Sequence, residues 1–439
     1  MCPVARSGGL WRHPAFLKLW GASAISEFGS QVTALALPLI AALTLGATPW
    51  QMGLLSAAGS APILLVGLFA GVWVDRLRRQ PVLVWTDIGR GVLLLIVPLT
   101  SAFGALRIEI LYAVALAVGA LTVLFDVAHL SFVPSLVQRE ELVEANGKVE
   151  VTWSMAQVAG PGLGGLLVGW LGAAFAVLVD ALSFLASALL ICRIRATEPS
   201  PGAADDRRGV VADIVEGLRV VLTHPILRVL AGCSATTSLF GRMFMAVYVL
   251  FMTRDLGLGS VGVGLVFATG GLGSLAGALV AGPATRRLGP GPTMVWAQLA
   301  FGVTGLAVPL AVLVPQVALP MIVASEFGQW LAVIVYNVIA RSVRQAITPD
   351  RMLGRVNATM RFMAGGALPI GALMGGAIGE LIGLPLTLVV AEFGMLLAFL
   401  WLLLSPVRAL RVLPAVEEAR PPATSLSPVG RGQGEGPRE

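Results

Sequence analysis

Residues 13–24 read HPAFLKLWGASA, and residues 224–235 read HPILRVLAGCSA. The two stretches share a His-Pro pair at their start and a Gly-x-Ser-Ala pattern at their end, at an offset of 211 residues. The His-Pro match is informative because the whole chain contains 3 histidines. This repetition predicts that the chain is built from two copies of one structural unit.

The same offset relates residues further along without an insertion or deletion. Gly53-Leu54 corresponds to Gly264-Leu265, Ala70-Gly71 to Ala281-Gly282, Arg76-Leu77 to Arg287-Leu288, Leu142 and Asn146 to Leu353 and Asn357, and Gly160, Gly164 and Gly165 to Gly371, Gly375 and Gly376. Matches of Gly, Ala and Leu are weak in an apolar chain, so chance similarity of hydrophobic helices is the alternative. The constant offset favours a true repeat.

The composition indicates that the repeated unit lies in a lipid bilayer. Of the 439 residues, 56% are hydrophobic and 12% are charged, whereas soluble proteins carry about 25% charged residues. One bilayer crossing needs about 20 apolar residues. Windows of that length predict twelve spans, at residues 16–43, 51–74, 82–104, 110–132, 152–172, 175–195, 226–252, 260–283, 292–314, 318–341, 358–381 and 385–405.

The basic residues predict the orientation of these spans. The segments on one side hold most of them, including Arg6, Arg12, Lys18, Arg76, Arg78, Arg79, Arg193, Arg195, Arg286, Arg287, Arg341, Arg344, Arg408 and Arg411. The opposite loops hold Arg107 and Arg254. By the positive-inside rule, both termini are expected in the cytoplasm. The net charge of +6 therefore reflects topology, and we expect no nucleic-acid partner.

The predicted fold class is an all-α integral membrane protein with twelve transmembrane helices in two pseudo-symmetric six-helix bundles. We expect an N-terminal half at 1–195, a cytoplasmic linker at 196–225, a C-terminal half at 226–408 and a disordered cytoplasmic tail at 409–439. The linker is predicted to carry a short amphipathic helix at the membrane surface, around Val210–Leu222. Two halves related by an axis along the membrane normal are typical of transporters.

Several motifs resemble those of the major facilitator superfamily. Residues 71–79, GVWVDRLRR, match the family's loop between spans 2 and 3. Residues 125–126 with 136–146, and residues 348–350 with 353–357, are similar to the branch that contains macrolide-type drug exporters and the enterobactin exporter. Residues 156–165, AQVAGPGLGG, resemble the span-5 motif associated with antiporters. The resemblance covers nearly all of residues 10–410 and implies export of a small molecule by alternating access.

Charged residues near the loop between spans 2 and 3 predict a gate. We expect a cytoplasmic charge cluster of Asp75, Arg76, Arg79, Asp87, Arg90 and Asp126 that latches the outward-open state, with Gly71 allowing close approach of spans 2 and 11. The alternative is a plain topological anchor. In the second half Arg286 replaces Asp75, so any latch is asymmetric.

The glycines of span 5 support two interpretations. Gly160, Gly164 and Gly165 have the small-xxx-small spacing that allows helices to pack closely, and Pro161 loosens the helix. The family resemblance connects this motif with antiport. The alternative is that these residues serve close packing alone.

Charges within predicted spans are candidates for function because they are costly in lipid. Glu27 in span 1, Arg242 in span 7 and Glu326 in span 10 are the candidates for proton coupling or substrate binding, and a buried structural ion pair is the alternative. Phe28, Phe244 and Trp330 are weaker candidates for lining an apolar cavity. A lone His129 in span 4 is expected to be structural.

No energy-coupling enzyme motif is visible. Lys148 follows Gly147, but Val149 stands where a phosphate-binding loop needs Ser or Thr. We expect no metal, no cofactor and no enzyme activity. The leading hypothesis is a monomeric, proton-coupled exporter of a hydrophobic or amphipathic small molecule, drug-like or siderophore-like, in a bacterial cell membrane. The alternatives are a uniporter or importer of a small metabolite, and a non-transporting receptor of the same fold.

Overall fold

The computed structural model describes residue 10 and residues 13–138, 141–195 and 210–412. The N-terminal half contains α1 (Pro14–Leu39), α2 (Pro49–Ser60), α3 (Pro62–Leu65), α4 (Gly67–Asp75), α5 (Arg79–Ala102), α6 (Ile108–Leu136), α7 (Leu142–Leu171) and α8 (Ala173–Cys192). After α9 (Val210–Thr223), the C-terminal half contains α10 (Pro225–Arg254), α11 (Ser260–Leu288), α12 (Pro290–Gly305), α13 (Ala307–Leu310), α14 (Ala318–Ile347), α15 (Asp350–Ile382), α16 (Leu384–Leu397) and α17 (Phe399–Leu403).

The helical membrane fold predicted from the sequence is confirmed. Among the described residues, 10 helical segments are long and apolar enough to cross a membrane. The other two predicted spans differ from these for local reasons. Span 2 is divided into α2, α3 and α4, with Pro62 and Gly67 as the first residues of α3 and α4. Span 5 is α7, which is 30 residues long but rich in glycine.

The repeated His-Pro pairs are helix starts. His13 is the N-cap of α1, where its Nδ1 atom accepts a hydrogen bond from the Phe16 amide at 3.3 Å. His224 caps α10 in the same way, accepting from the Leu227 amide at 3.4 Å. In both cases the proline occupies the first helical position, where a missing N–H is harmless. The most specific match in the repeat therefore marks the first residue of each six-span unit.

Turns between spans repeat as well. Gly172, between α7 and α8, has φ 82°, and Gly383, between α15 and α16, has φ 83°. The offset between them is again 211 residues. Glycine fits here because a side chain rarely adopts positive φ. The repeat therefore extends to the sixth span of each half.

The two halves touch through pairs of repeated glycines. An added Cβ on Gly53 of α2 would lie 2.6 Å from the Cα of Gly376 on α15, and one on Gly264 of α11 would lie 2.8 Å from the Cα of Gly165 on α7. Gly53 is the repeat counterpart of Gly264, and Gly165 is that of Gly376. The two seams are thus related by the internal symmetry, and each needs glycine for close backbone approach.

These seams lie towards one side of the membrane. We name the side where α1 and α10 begin, and where α9 joins α10, the linker side. On the opposite side, Arg254 donates to the Ala47 carbonyl at 2.7 Å and the Trp50 amide donates to Glu380 Oε2 at 3.2 Å. One buried apolar cluster there contains side chains of both halves, such as Leu39 and Phe251.

On the linker side the buried cores are separate. One cluster of the N-terminal half includes Phe16 and Ile194, and another of the C-terminal half includes Leu227 and Val407. Because the halves share a core on the opposite side only, the space between them opens towards the linker side.

The helix predicted around Val210–Leu222 is present as α9. It packs against the C-terminal half, where Arg355 of α15 donates to Glu216 at 2.9 Å and the position of Gly217 lies against Arg355 and Thr359. Residues 196–209 of the predicted linker and 413–439 of the predicted tail lie outside the described residues.

Candidate central charge site

Glu27 lies in the middle of the membrane. It is 13 residues after Pro14 in α1, which at the helical rise is about 20 Å from the linker side. Asp126 of α6 and Arg90 of α5 act on its carboxylate electrostatically. The ion pairs between described side chains are Arg90–Asp87, Lys148–Glu144 and Arg355–Glu216, so none of them neutralises Glu27.

Asp126 faces the space between the halves. Its side chain is exposed although it lies about 15 Å along α6 from the linker-side end. Arg361, on α15 of the other half, is within electrostatic range of it. Gly365, one turn after Arg361 and hence on the same helix face, lies against Ile63 of α3. Asp126 and Arg361 are therefore opposite charges on the two facing halves.

Asp87 and Arg90 form a pair inside the N-terminal half. They are ion-paired with side-chain exposures of 0% and 4%. Ser187 of α8 donates to Asp87 Oδ2 at 2.6 Å. The Arg90 guanidinium lies between the rings of Phe125 and Phe184, with centroids at 4.2 and 4.1 Å. Cation–π contacts and an ion pair together stabilise this buried cation.

This placement corrects the predicted gating cluster. Asp87 and Arg90 are not at the membrane face, because their positions in α5 are about 12 and 16 Å from its first residue. Arg76 is exposed just after α4, and Arg79 is the first residue of α5. The surroundings of Gly71 and Asp75 lie outside the side chains that the structure describes. A latch at the face therefore stays a prediction for Gly71, Asp75, Arg76 and Arg79.

The glycine motif of α7 is packed against two helices. A Cβ on Gly164 would meet Val32 and Leu35 of α1 at 3.3 and 3.4 Å, and Gly160 faces Gln31 of the same helix. Gly165 faces α11. A Cβ added to Gly264 of α11 would lie 2.9 Å from the Pro161 carbonyl oxygen of α7. These contacts account for the small residues structurally, and a part in antiport stays a prediction.

Arg242 faces the same central space from the C-terminal half. On α10, Leu239 and Met243 pack on Gly371 and Gly375 of α15, and Phe240 packs on Gly394 of α16. The half-buried Ser238, Arg242 and Met245 occupy the remaining helix face. Arg242 is about 25 Å from the linker side, near the depth of Glu27.

Arg242 and Glu27 do not form the ion pair that was the alternative interpretation. Neither occurs among the ion pairs of described side chains, and Arg242 is not among the charges that act on Glu27. The Arg242 Nε atom is buried without a hydrogen-bond partner. The central space thus has the carboxylates Glu27 and Asp126 on one wall and the cations Arg242 and Arg361 on the other.

Glu326 lies in a separate buried site within the C-terminal half. Tyr248 donates to its Oε2 at 3.1 Å and Trp330 donates to its Oε1 at 2.9 Å. Glu326 is 2% exposed, so it does not line the central space in this state. Trp330 orients this carboxylate rather than standing free in a cavity.

Of the predicted cavity aromatics, Phe244 is not at a cavity surface. It is 3% exposed, with its ring centroid 4.5 Å from that of Tyr248, because its side of α10 faces the other C-terminal helices. Phe28 is half-buried on α1, and its prediction is left open.

Two charged residues were missed by the sequence interpretation of the site. Arg361 is the fourth residue of the predicted span 358–381, and an arginine within a span is itself a signal. Glu392 of α16 is fully buried; Gln329 donates to its Oε1 at 3.2 Å, while its Oε2 has no partner. Glu392 was not selected as a candidate, since the sequence does not show which face of span 12 is buried.

Comparison with known proteins identifies the type of molecule. The model of the family described as "Transmembrane secretion effector" matches residues 9–428. The multidrug efflux pump Tap of Mycolicibacterium fortuitum is 29% identical over 400 residues, covering 88% of this chain and 94% of that protein. The enterobactin exporter EntS of Citrobacter koseri is 28% identical over 421 residues, covering 93% and 96%.

Solved structures agree on the fold. A bacterial homologue of the iron transporter ferroportin, in an inward-facing state, has a TM-score of 0.71 at 17% identity, covering 89% of this chain and 98% of that one. The nucleoside transporter NupG has a TM-score of 0.70 at 12% identity, covering 89% and 99%. At these identities the likeness concerns the fold alone.

Proposed function

Since the chain belongs to the transmembrane secretion effector family of major facilitator transporters, we propose that it exports an amphipathic small molecule in exchange for protons. It is a membrane transporter and not an enzyme. The proposal adds the direction, the kind of cargo and the coupling ion. It also places both termini in the cytoplasm and the protein in the inner membrane of a bacterium.

The observation that carries the proposal is the pair Glu27 and Asp126. Both carboxylates lie at mid-membrane depth, and Asp126 acts electrostatically on Glu27. Neither belongs to an ion pair of the described side chains. Two like charges repel strongly where water is scarce. A proton bound to one of them removes the repulsion, so protonation is coupled to what else occupies the space.

The alternating-access step follows from the asymmetry of the inter-half contacts. In the state described here the halves are packed together opposite the linker side, so cargo and protons exchange with the linker side. Closing that side brings Arg361 of α15 towards Asp126. We propose that this pairing favours release of the proton from the N-terminal wall in one state and its uptake in the other.

Export is also the direction named for two relatives, the Tap efflux pump and the EntS exporter. We propose the same direction for this chain. An importer or uniporter, or a receptor that binds without transport, remains the competing function and is an outcome of the experiment below.

The test uses everted membrane vesicles containing the full chain. A resistance screen first selects the toxic amphiphile that expression protects against best, and that compound is then the probe. With an inside-acid proton gradient, vesicles should accumulate it, and Glu27→Gln should lower the initial rate at least about tenfold. That loss corresponds to about 1.4 kcal/mol, a modest value for one group that takes part in proton transfer.

The matched control is Glu109→Gln, the same chemical change at an exposed position in the first turn of α6. It should leave the rate unchanged. Accumulation that persists in Glu27→Gln, or that a protonophore leaves intact, would rule out proton coupling through Glu27. Binding without flux in either direction would favour the receptor.

A further inference from the structure

Arg242 is a half-buried cation that belongs to none of the ion pairs of the described side chains. Its Nε atom is buried and has no hydrogen-bond partner among the described residues. By contrast, Arg90 is ion-paired with Asp87 and lies between two aromatic rings. An unpaired charge away from bulk water is unfavourable, so binding of an anion beside Arg242 would be stabilising.

The position of Arg242 makes a ligand anion accessible to it. The face of α10 that carries Ser238, Arg242 and Met245 is the face not packed on α15 or α16. Across the space lies α1, which contacts α10 and carries Glu27 at a comparable depth. The space is open to the linker side, so a molecule entering from there reaches the guanidinium.

We propose that Arg242 binds a carboxylate, or a similar planar oxyanion, on the exported molecule. This rests on the proposed function and narrows its cargo to amphiphiles that carry such a group. A guanidinium presents a planar fork of N–H donors that matches two carboxylate oxygens. Met245, one turn away and half-buried, offers an adaptable apolar surface beside the anion.

The division of charge between the walls fits this arrangement. Glu27 and Asp126, the proposed proton-binding carboxylates, are on the N-terminal half. Arg242, the proposed ligand of the cargo anion, is on the C-terminal half. The cargo anion and the exchanged proton therefore bind to opposite walls of one space.

The experiment compares two dyes that differ in a single group. Rhodamine B has a free carboxylate, and its ethyl ester keeps the same apolar ring system without it. Their binding to the purified full-length chain in detergent is measured by fluorescence anisotropy at equilibrium, with no proton gradient. The wild type should bind the acid at least about tenfold more tightly than the ester, as expected for one charge-assisted pair.

Three variants separate a binding role from a packing role. Arg242→Gln should weaken binding of the acid about tenfold or more and change binding of the ester by less than about threefold. Arg242→Lys, which keeps the charge but loses the fork, should retain part of the acid's affinity. Arg219→Gln, an exposed arginine of α9, is the matched control and should change neither dye.

Each remaining outcome decides the matter. Equal loss of acid and ester in Arg242→Gln would make Arg242 a packing residue and overturn the inference, as would equal affinity of the two dyes for the wild type or binding of neither. Acid-selective binding without gradient-driven uptake in vesicles would instead uphold the inference and overturn the proposed proton-coupled export.

Discussion

Replacing one glycine at the seam between the halves should shift the equilibrium between the states that are closed and open opposite the linker side. The alanine Cβ of Gly264→Ala would lie 2.8 Å from the Cα of Gly165 and 2.9 Å from the Pro161 carbonyl oxygen. Both are backbone atoms of a packed helix, so α7 and α11 must separate. Overpacking of this kind costs about 1–3 kcal/mol. We expect the cost to fall on the state that is closed opposite the linker side, because the seam lies on that side.

The expected population shift follows from that cost. A change of about 1–3 kcal/mol corresponds to about 5- to 150-fold in the ratio of the two states. Gly53→Ala, the symmetry-related change, meets Gly376 Cα at 2.6 Å and should act in the same direction. Since the two seams are separate, their effects should add in free energy.

The assay is the labelling rate of a single buried cysteine. Val168 of α7 is 6% exposed and lies one turn beyond Gly164 and Gly165, between α1 and α11. Val168→Cys is introduced into a chain whose native Cys2, Cys192 and Cys233 are replaced, and a membrane-impermeant maleimide is added opposite the linker side. While the open state is a minor population, the labelling rate is proportional to it.

The matched control is Gly21→Ala in α1, where an added Cβ meets nothing within 4 Å. It reports the gain in helix propensity, about 0.5–1 kcal/mol, without a seam effect. Labelling should rise about 5- to 150-fold in Gly264→Ala and stay near the wild-type rate in Gly21→Ala. Equal rates in the two variants would refute the view that glycine contact at this seam stabilises the closed side.

Two further predictions concern stability. Asp87→Asn should destabilise the chain by about 3–5 kcal/mol, because it leaves the Arg90 cation buried without its partner. The control Glu144→Gln, at the exposed pair with Lys148, should cost at most about 1 kcal/mol. Similar melting temperatures for the two variants would contradict the argument. His224 caps α10 through an unprotonated Nδ1, and burial lowers the pKa of His224. The unfolded chain therefore takes up the proton first as the pH falls below about 6.5, and this contribution to stability is present above that pH and lost below it. His224→Asn, which caps without titrating, should flatten the dependence of melting temperature on pH between about 7 and 5; an unchanged slope would assign it to other groups.

The order of the helices could be predicted because it depends on local properties. Apolar windows, prolines at helix starts and glycines at turns act over a few residues, and the offset of 211 residues in His13 and His224 tied the two halves together. Even the seam glycines were visible as repeated positions. What the repeat did not show is that Gly53 contacts Gly376, and Gly165 contacts Gly264, across the halves.

The central site was predicted less completely, since the sequence identifies a charged residue within a span but does not show which side chains surround it. Glu27 and Arg242 were found as intramembrane charges, whereas Asp126 was assigned to the cytoplasmic charge cluster. Asp87 and Arg90 were assigned to the membrane face, whereas α8 supplies Ser187 and Phe184 to bury them.

By itself the sequence determined that this is a helical membrane protein built from two repeated halves, because hydrophobic length and helix capping depend on residues close together in the chain. Tertiary structure alone decided which charges meet. Helical periodicity assigns a residue to a face of its own helix, but the helix packed against that face is set by the whole bundle. Only packing therefore separates Arg90, which is ion-paired with Asp87, from Arg242, which belongs to none of the ion pairs of the described side chains. That difference makes Arg90 structural and Arg242 a candidate for binding cargo.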